Sequence, residues 1–257
     1  MPPHPSLSAL DHRPWPLPER AWLYDQMWSD LCFLHWPVDA RLLRRKLPIG
    51  LEVEEFDGSA WIGVVPFRLR IRVRGLPAIP RVQVFPELNV RTYVTAEGRP
   101  GVWFFSLDAP SPLAIHFART RFHLPYYRAE LTCAVPKTPE DWIEFSSVRT
   151  DPIARDDPAA RFRARYRPKG EAEPARLGTL DHFLTERYCL YSADRAGGIH
   201  RGEVHHPPWP LQEAEVELEE NSMTEPWGIP LEGEPRVAFA RRTDVATWGL
   251  EAVGHGR

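Results

Sequence analysis

Apolar and polar residues alternate with period two along most of the chain, in short runs broken by Gly, Pro and Asp. The run WSDLCFLHW (28–36) is nearly continuous in apolar and aromatic residues and stops at Pro37, which predicts a buried strand. Asp39 then caps a predicted short helix, DARLLRRKL, with Leu42, Leu43 and Leu47 on one side and Pro48 and Gly50 closing it. The runs LEVEEF and SAWIGVVPF flank Asp57-Gly58, a dipeptide suited to a type I′ turn, and predict a β-hairpin. Strand-like runs recur downstream: ELNVRTYVT, GVWFFSLDA, YYRAELTCAV, WIEFSSVRT, RFRARYR, RYCLYSA, GIHRGEVHH, AEVELEE and RVAFARR. Two more helices are expected, SPLAIHFARTRF with Ser111 as cap and Pro112 at its first position, and TLDHFLTE capped by Thr179. Many short strands and few helices predict a mainly β protein, a β-barrel or strongly curved antiparallel or mixed sheet with a few short helices.

The first 20 residues read differently. Pro2, Pro3, Pro5, Pro14, Pro16 and Pro18 fix the backbone and remove donors, so residues 1–20 are expected as an extended arm on a single domain spanning 21–257. No repeat or long linker interrupts that domain. A basic stretch followed by an apolar one is absent from MPPHPSLSAL, so the expected location is the cytoplasm.

Composition narrows the function classes. Hydrophobic residues make up 43% and charged residues 26% of the 257, an ordinary globular balance that leaves no stretch for a bilayer. A net charge of -3 argues against a nucleic-acid partner, which demands a cationic footprint. Of 32 basic residues only Lys46, Lys137 and Lys169 are lysines, so chemistry that needs an amine has three candidates. Cys32, Cys133 and Cys189 are widely spaced and odd in number, which fits core residues in a reducing compartment better than a disulfide framework.

No dinucleotide, P-loop, nucleophile-elbow or zincin motif occurs. The run HRGEVHH invites a metal test, but His205 and His206 are neighbours on a strand and point to opposite faces. His200 and His206 share a face yet stand about 20 Å apart, beyond one ion, so no metal or other cofactor is expected. On the strand Arg161–Arg167, Phe162, Ala164 and Tyr166 face inward and the arginines face solvent. The informative strand is FPELNVRTYV. Period two places Glu87, Asn89, Arg91 and Tyr93 on one face and Leu88, Val90, Thr92 and Val94 on the other. On an open sheet the polar row faces water, whereas inside a closed barrel it lines a cavity and orients a small polar ligand.

The segments FLHWPVD, LPIGLEV, DGSAWIGVVPF, FPELNVRTYV, LPYYRAEL, RYCLY and HHPPWPL resemble the YqjF-like family of uncharacterised proteins (DUF2071) over nearly the whole chain. Through it, Leu31 to Leu131 is distantly similar to the acetoacetate decarboxylase superfamily. That resemblance implies a barrel-like fold with an internal cavity, and homo-oligomers. It places Glu87 on an active-site glutamate and Arg119 on an arginine that precedes the catalytic lysine pair. The pair itself corresponds to Tyr126 and Tyr127 after Pro125, and a further glutamate is replaced within the apolar run AWIGVV. A phenol forms no imine, so the resemblance implies the fold without Schiff-base decarboxylation.

The expected site therefore pairs Glu87 and Tyr126 as acid/base groups, with Asn89, Arg91, Tyr93, Arg119, His35 and Tyr127 as ligand-binding residues. Three functions stay open: a cavity that binds a small organic acid or other small molecule, a cofactor-independent lyase or isomerase of a small keto or hydroxy acid with Glu87 as acid/base, and a non-catalytic interaction protein. The sequence assigns no role to His205, His206 or Trp209.

Overall fold

A computed structural model describes residues 4–75, 84–151 and 159–254. Its framework is one twelve-stranded, mixed and strongly curved sheet. The strands are β1 (Tyr24–Val38), β2 (Glu52–Val53), β3 (Ala60–Val73), β4 (Phe85–Ala96), β5 (Arg99–Ala109), β6 (Tyr126–Ala134), β7 (Ile143–Arg149), β8 (Arg161–Pro174), β9 (Cys189–Ala193), β10 (Ile199–His205), β11 (Pro210–Asn221) and β12 (Arg236–Ala252). Three short helices accompany them, α1 (Ala40–Arg44), α2 (Pro112–Arg121) and α3 (Leu180–Thr185). Their N-termini are held by the expected caps: Asp39 accepts from the Arg41 amide at 2.8 Å, Ser111 from Ala114 and Thr179 from His182, both at 3.4 Å.

The sheet closes on itself twice. Strand β12 pairs with β10 as well as β1 and β11, and β5 pairs with β4 as well as β6 and β9. The result is a smaller ring, β10-β9-β5-β4-β3-β1-β12, and a larger one through β6, β7, β8 and β11, with β5, β4, β3, β1 and β12 common to both. A shared strand has no solvent face, which is why WSDLCFLHW reads as almost unbroken apolar sequence. On β1, Cys32, Leu34 and Trp36 join the core of the larger ring with Phe145, Phe162 and Tyr166. Leu31 and Phe33 face the other way and pack with Val65, Phe67 and Trp209.

Two regions refine the sequence reading. The Asp57-Gly58 turn is present, with φ of +50° and +78°, and bridges Phe56 to Ser59. The hairpin ladder beyond it is not: Glu52 and Val53 pair with Thr95 and Val94 of β4. Strand β3 already has β1 on one edge and β4 on the other, so no edge is left for LEVEEF. On β8, Phe162, Ala164 and Tyr166 are buried as expected, and the outward arginines pair across the ladder, Arg165 with Glu217 and Arg167 with Glu215.

The N-terminal arm lies along β10 and β12; Pro2 and Pro3 fall outside the described residues. Its main anchor is Glu203 of β10, a carboxylate only 2% exposed. Arg13 and Arg99 donate to it, Trp15 donates its indole N–H at 2.8 Å, and Arg201 approaches to 3.3 Å. Arg13 also donates to the Val204 carbonyl at 2.6 Å, and His205 bonds the Ser6 carbonyl at 2.9 Å. No helix among the described residues is long and apolar enough to cross a membrane.

Candidate functional site

The smaller ring encloses two adjoining chambers, in contrast to the packed core of the larger ring. The outer, of about 230 Å³, is walled by Leu69, Ile71, Phe117, Ala118, Leu190 and Trp248. The inner, of about 130 Å³, is walled by Asn89, Arg91, Phe104, Arg187, His206 and Trp209. Glu87, Tyr126, Gln26, Leu124 and Thr247 line both and mark the junction, together with the apolar Leu69, Ile71, Leu190 and Val204.

Strand alternation brings the two central groups together. Glu87 points from β4 into the ring while its neighbours Leu88 and Val90 enter the opposite core. Pro125 ends the segment after α2, and Tyr126 opens β6 in parallel register with Leu107 of β5. The Tyr126 hydroxyl donates to Glu87 Oε2 at 3.1 Å. Burial pushes the Glu87 carboxyl up to about 8; the bond from Tyr126 opposes that shift and the Asp108 charge adds to it. Glu87 is thus chiefly a neutral acid at pH 7. Burial, with the adjacent Glu87, likewise drives the Tyr126 phenol upward.

The inner chamber holds polar groups that the chain leaves unsatisfied. Asn89 is buried, and its Oδ1 accepts no hydrogen bond among the described residues. Arg91, only 8% exposed, donates from Nη2 to the Leu184 carbonyl at 3.1 Å and lies over the Phe33 ring at 5.3 Å. Its Nε has no acceptor, and no carboxylate among the described residues pairs with it. Trp209 Nε1 is also unpaired. Nearby Arg187 differs: it is bound to Glu54 and to the Phe183 carbonyl.

Four residues expected in the site stand elsewhere. His35 and Tyr93 form a buried chain outside both chambers: the Tyr93 hydroxyl donates to Leu184 O at 2.7 Å and therefore accepts from His35 Nε2 at 2.5 Å. Burial and the Arg91 charge keep His35 well below the usual imidazole range, hence neutral. Arg119 lies on the exposed side of α2, where it donates to Tyr126 O at 2.6 Å and pairs with Asp151 at 2.9 Å. Tyr127, one residue beyond Tyr126, faces away and packs on the Arg149 guanidinium at 4.5 Å. Arg119 and Tyr127 thus support the start of β6 rather than the cavity.

The histidines also separate. His200 bonds Asp194 at 2.9 Å, His205 holds the arm, and His206 lines the inner chamber with Nδ1 against Pro207 O at 2.8 Å. Among the described residues no group of three or more metal-ligating side chains converges. Sequence reasoning missed Gln26, Trp28 and Thr247, a chain in which Trp28 Nε1 donates to Gln26 Oε1 at 2.7 Å and Gln26 Nε2 reaches Thr247 Oγ1 at 3.4 Å. The alternation YDQMW puts Gln26 and Trp28 on one face, a signal that was available. Thr247 lies in a stretch that carries no strong strand pattern. No lysine lines either chamber.

The family of uncharacterized conserved proteins DUF2071 matches residues 25–244. The chain belongs to the DUF2071 family. It is 43% identical over 236 residues to the uncharacterized protein YqjF of Bacillus subtilis (strain 168), covering 91% of this chain and 94% of that one. Among solved structures, the DUF2071 chain is similar to the enduracididine biosynthesis enzyme MppR complexed with pyruvate, with TM-score 0.64, 12% identity and 92% of each chain covered. It is also similar to acetoacetate decarboxylase from Legionella pneumophila, with TM-score 0.59, 13% identity, and 95% and 94% of the two chains covered. These identities show a shared fold: the DUF2071 protein has the acetoacetate decarboxylase-like architecture.

Proposed function

We propose that this protein binds a small organic acid in the cavity of the smaller ring, with Arg91 as counter-charge and Glu87, Tyr126 and Asn89 as hydrogen-bonding partners. The observation that carries the reading is the buried guanidinium of Arg91, which lacks an anionic partner among the described residues. An isolated buried charge costs several kcal/mol, and a ligand carboxylate removes that cost. Asn89 Oδ1 and Trp209 Nε1 supply a free acceptor and a free donor in the same chamber. A protein of this fold, MppR, has been solved with pyruvate.

Imine chemistry is not part of the reading. Tyr126 and Tyr127 follow Pro125 where the resemblance to the decarboxylases puts a lysine pair, and Lys169 is engaged with Glu215 on the surface. The three unpaired cysteines fit a cytoplasmic setting. Calorimetric titration with a panel of small carboxylates and keto acids tests the proposal: binding is expected, and Arg91→Met is expected to weaken it at least about tenfold. Equal affinity in the two proteins overturns it.

A second reading rests on Glu87 itself. The Glu87 carboxyl, with its pKa near 8 and bonded to a phenol, is placed to exchange protons with a bound keto acid: its ionised form takes a proton from the carbon beside the carbonyl while Tyr126 hydrogen-bonds the oxygen, and the carboxyl, after exchange with solvent, returns a proton to that carbon. Exchange of that carbon-bound hydrogen for solvent deuterium should then rise with pH to a plateau above about 8, and vanish in Glu87→Gln. Absence of exchange in the wild type leaves the binding function alone.

A further inference from the structure

The two chambers differ in chemistry, and that difference specifies more than a carboxylate. All the unsatisfied polar atoms named above, Asn89 Oδ1, Arg91 Nε and Trp209 Nε1, belong to residues of the inner chamber alone. The walls that the outer chamber does not share with it are almost wholly hydrocarbon: Val73, Phe85, Ala109, Phe117, Phe122 and Trp248. Of its exclusive polar residues, Glu203 is saturated by arginines and Trp15, and Tyr24 packs its ring against Phe117 and Phe122. Trp248 donates its indole N–H to the Arg20 carbonyl at 2.8 Å and so presents a ring rather than a donor.

Size agrees with that division. An apolar cavity of about 150 Å³ holds a benzene ring, and the outer chamber is about 230 Å³. Acetate or pyruvate, seated on Arg91, leaves it vacant. At its outer end stand Phe117 and Val73, 44% and 45% exposed, so the chamber runs from the protein surface towards Glu87 and Tyr126.

We infer that the ligand is an amphipathic monocarboxylic acid whose carboxylate enters first, to the Arg91 guanidinium and the Trp209 indole N–H, and whose alkyl or aryl tail fills the outer chamber beneath α2. This rests on the carboxylate reading above and adds the tail. Glu87 and Tyr126, at the junction, then sit beside the first carbons of the chain, where a 2-oxo or 3-oxo group meets their proton.

Titration calorimetry with unbranched acids from acetate to decanoate, and with pyruvate against phenylpyruvate, tests the inference. Burying one methylene is worth about fourfold in affinity, so Kd should fall by about that factor per carbon until the chamber is full, and phenylpyruvate should bind far more tightly than pyruvate. Ala118→Trp, on the partly exposed helix that roofs the chamber, should move the optimum to shorter acids. A flat affinity across the series, with Arg91→Met still abolishing binding, overturns the tail and leaves the carboxylate site standing. A chain-length optimum that Ala118→Trp does not move also overturns it, because the tail then lies elsewhere. No binding by any acid overturns both readings.

Discussion

Glu87 carries a folding consequence as well as a chemical one. Its carboxyl titrates near 8 in the folded chain against 4.5 as a free side chain, because burial disfavours the anion. The folded state therefore holds this proton more tightly than the unfolded state. The stabilisation is complete below about pH 4.5 and is lost as pH rises to about 8, where the unfolded chain is fully ionised and the folded one half ionised. Gln keeps the shape without the titration. Chemical denaturation across pH 4 to 9 should show wild type losing up to about 4 kcal/mol relative to Glu87→Gln over that interval. Parallel stability curves would mean that the buried carboxyl is not perturbed. Much of this site was legible residue by residue, because strand alternation needs no tertiary information: it put Glu87, Asn89 and Arg91 on one face and split Tyr126 from Tyr127. It was silent on Arg119, because α2, with apolar residues scattered around it in LAIHFARTRF, shows no stripe that says which side meets the sheet.

At the scale of elements, closure of the smaller ring depends on a short parallel contact. Strands β5 and β9 meet through only Val102↔Leu190 and Trp103↔Tyr191. Gly101 makes the approach possible, since a Cβ there would stand 2.7 Å from Cys189 Sγ and 2.9 Å from the Cys189 carbonyl. Backbone cannot yield as a flexible side chain does, so Gly101→Ala should cost about 1 to 3 kcal/mol and loosen the cavity wall that Leu190 forms. Thermal unfolding with and without a bound acid measures both effects; an unchanged Tm would show that the contact relaxes freely. The elements themselves were read well where a cap or a break marks them, as at Asp39, Ser111, Thr179 and Pro125. The failures are at pairing. LEVEEF has the right turn beside it and the wrong partner, because strand partners are chosen by which edges remain free.

For the whole molecule, the two rings divide the work. They share five strands, and each shared strand gives one face to a packed core and the other to a cavity. The packed ring fixes the backbone of β4, so the costly group on its far face, the unpaired Arg91, is held in place without contributing to the core itself. The arm adds a second constraint by neutralising Glu203 behind the outer chamber, so that a buried carboxylate does not intrude on an apolar wall. The sequence by itself determined the class of fold, most strand positions, the helix caps and the placing of Glu87, Asn89 and Arg91 on one face of their strand, because all of these follow from local periodicity and backbone chemistry. Only the tertiary structure decided that this polar row faces a void rather than water, that Tyr126 and not Tyr127 completes it, and that Arg119 stays outside. Those outcomes hang on ring closure between strands far apart in the chain, β12 with β10 and β5 with β9, and no local pattern encodes which distant edges will meet.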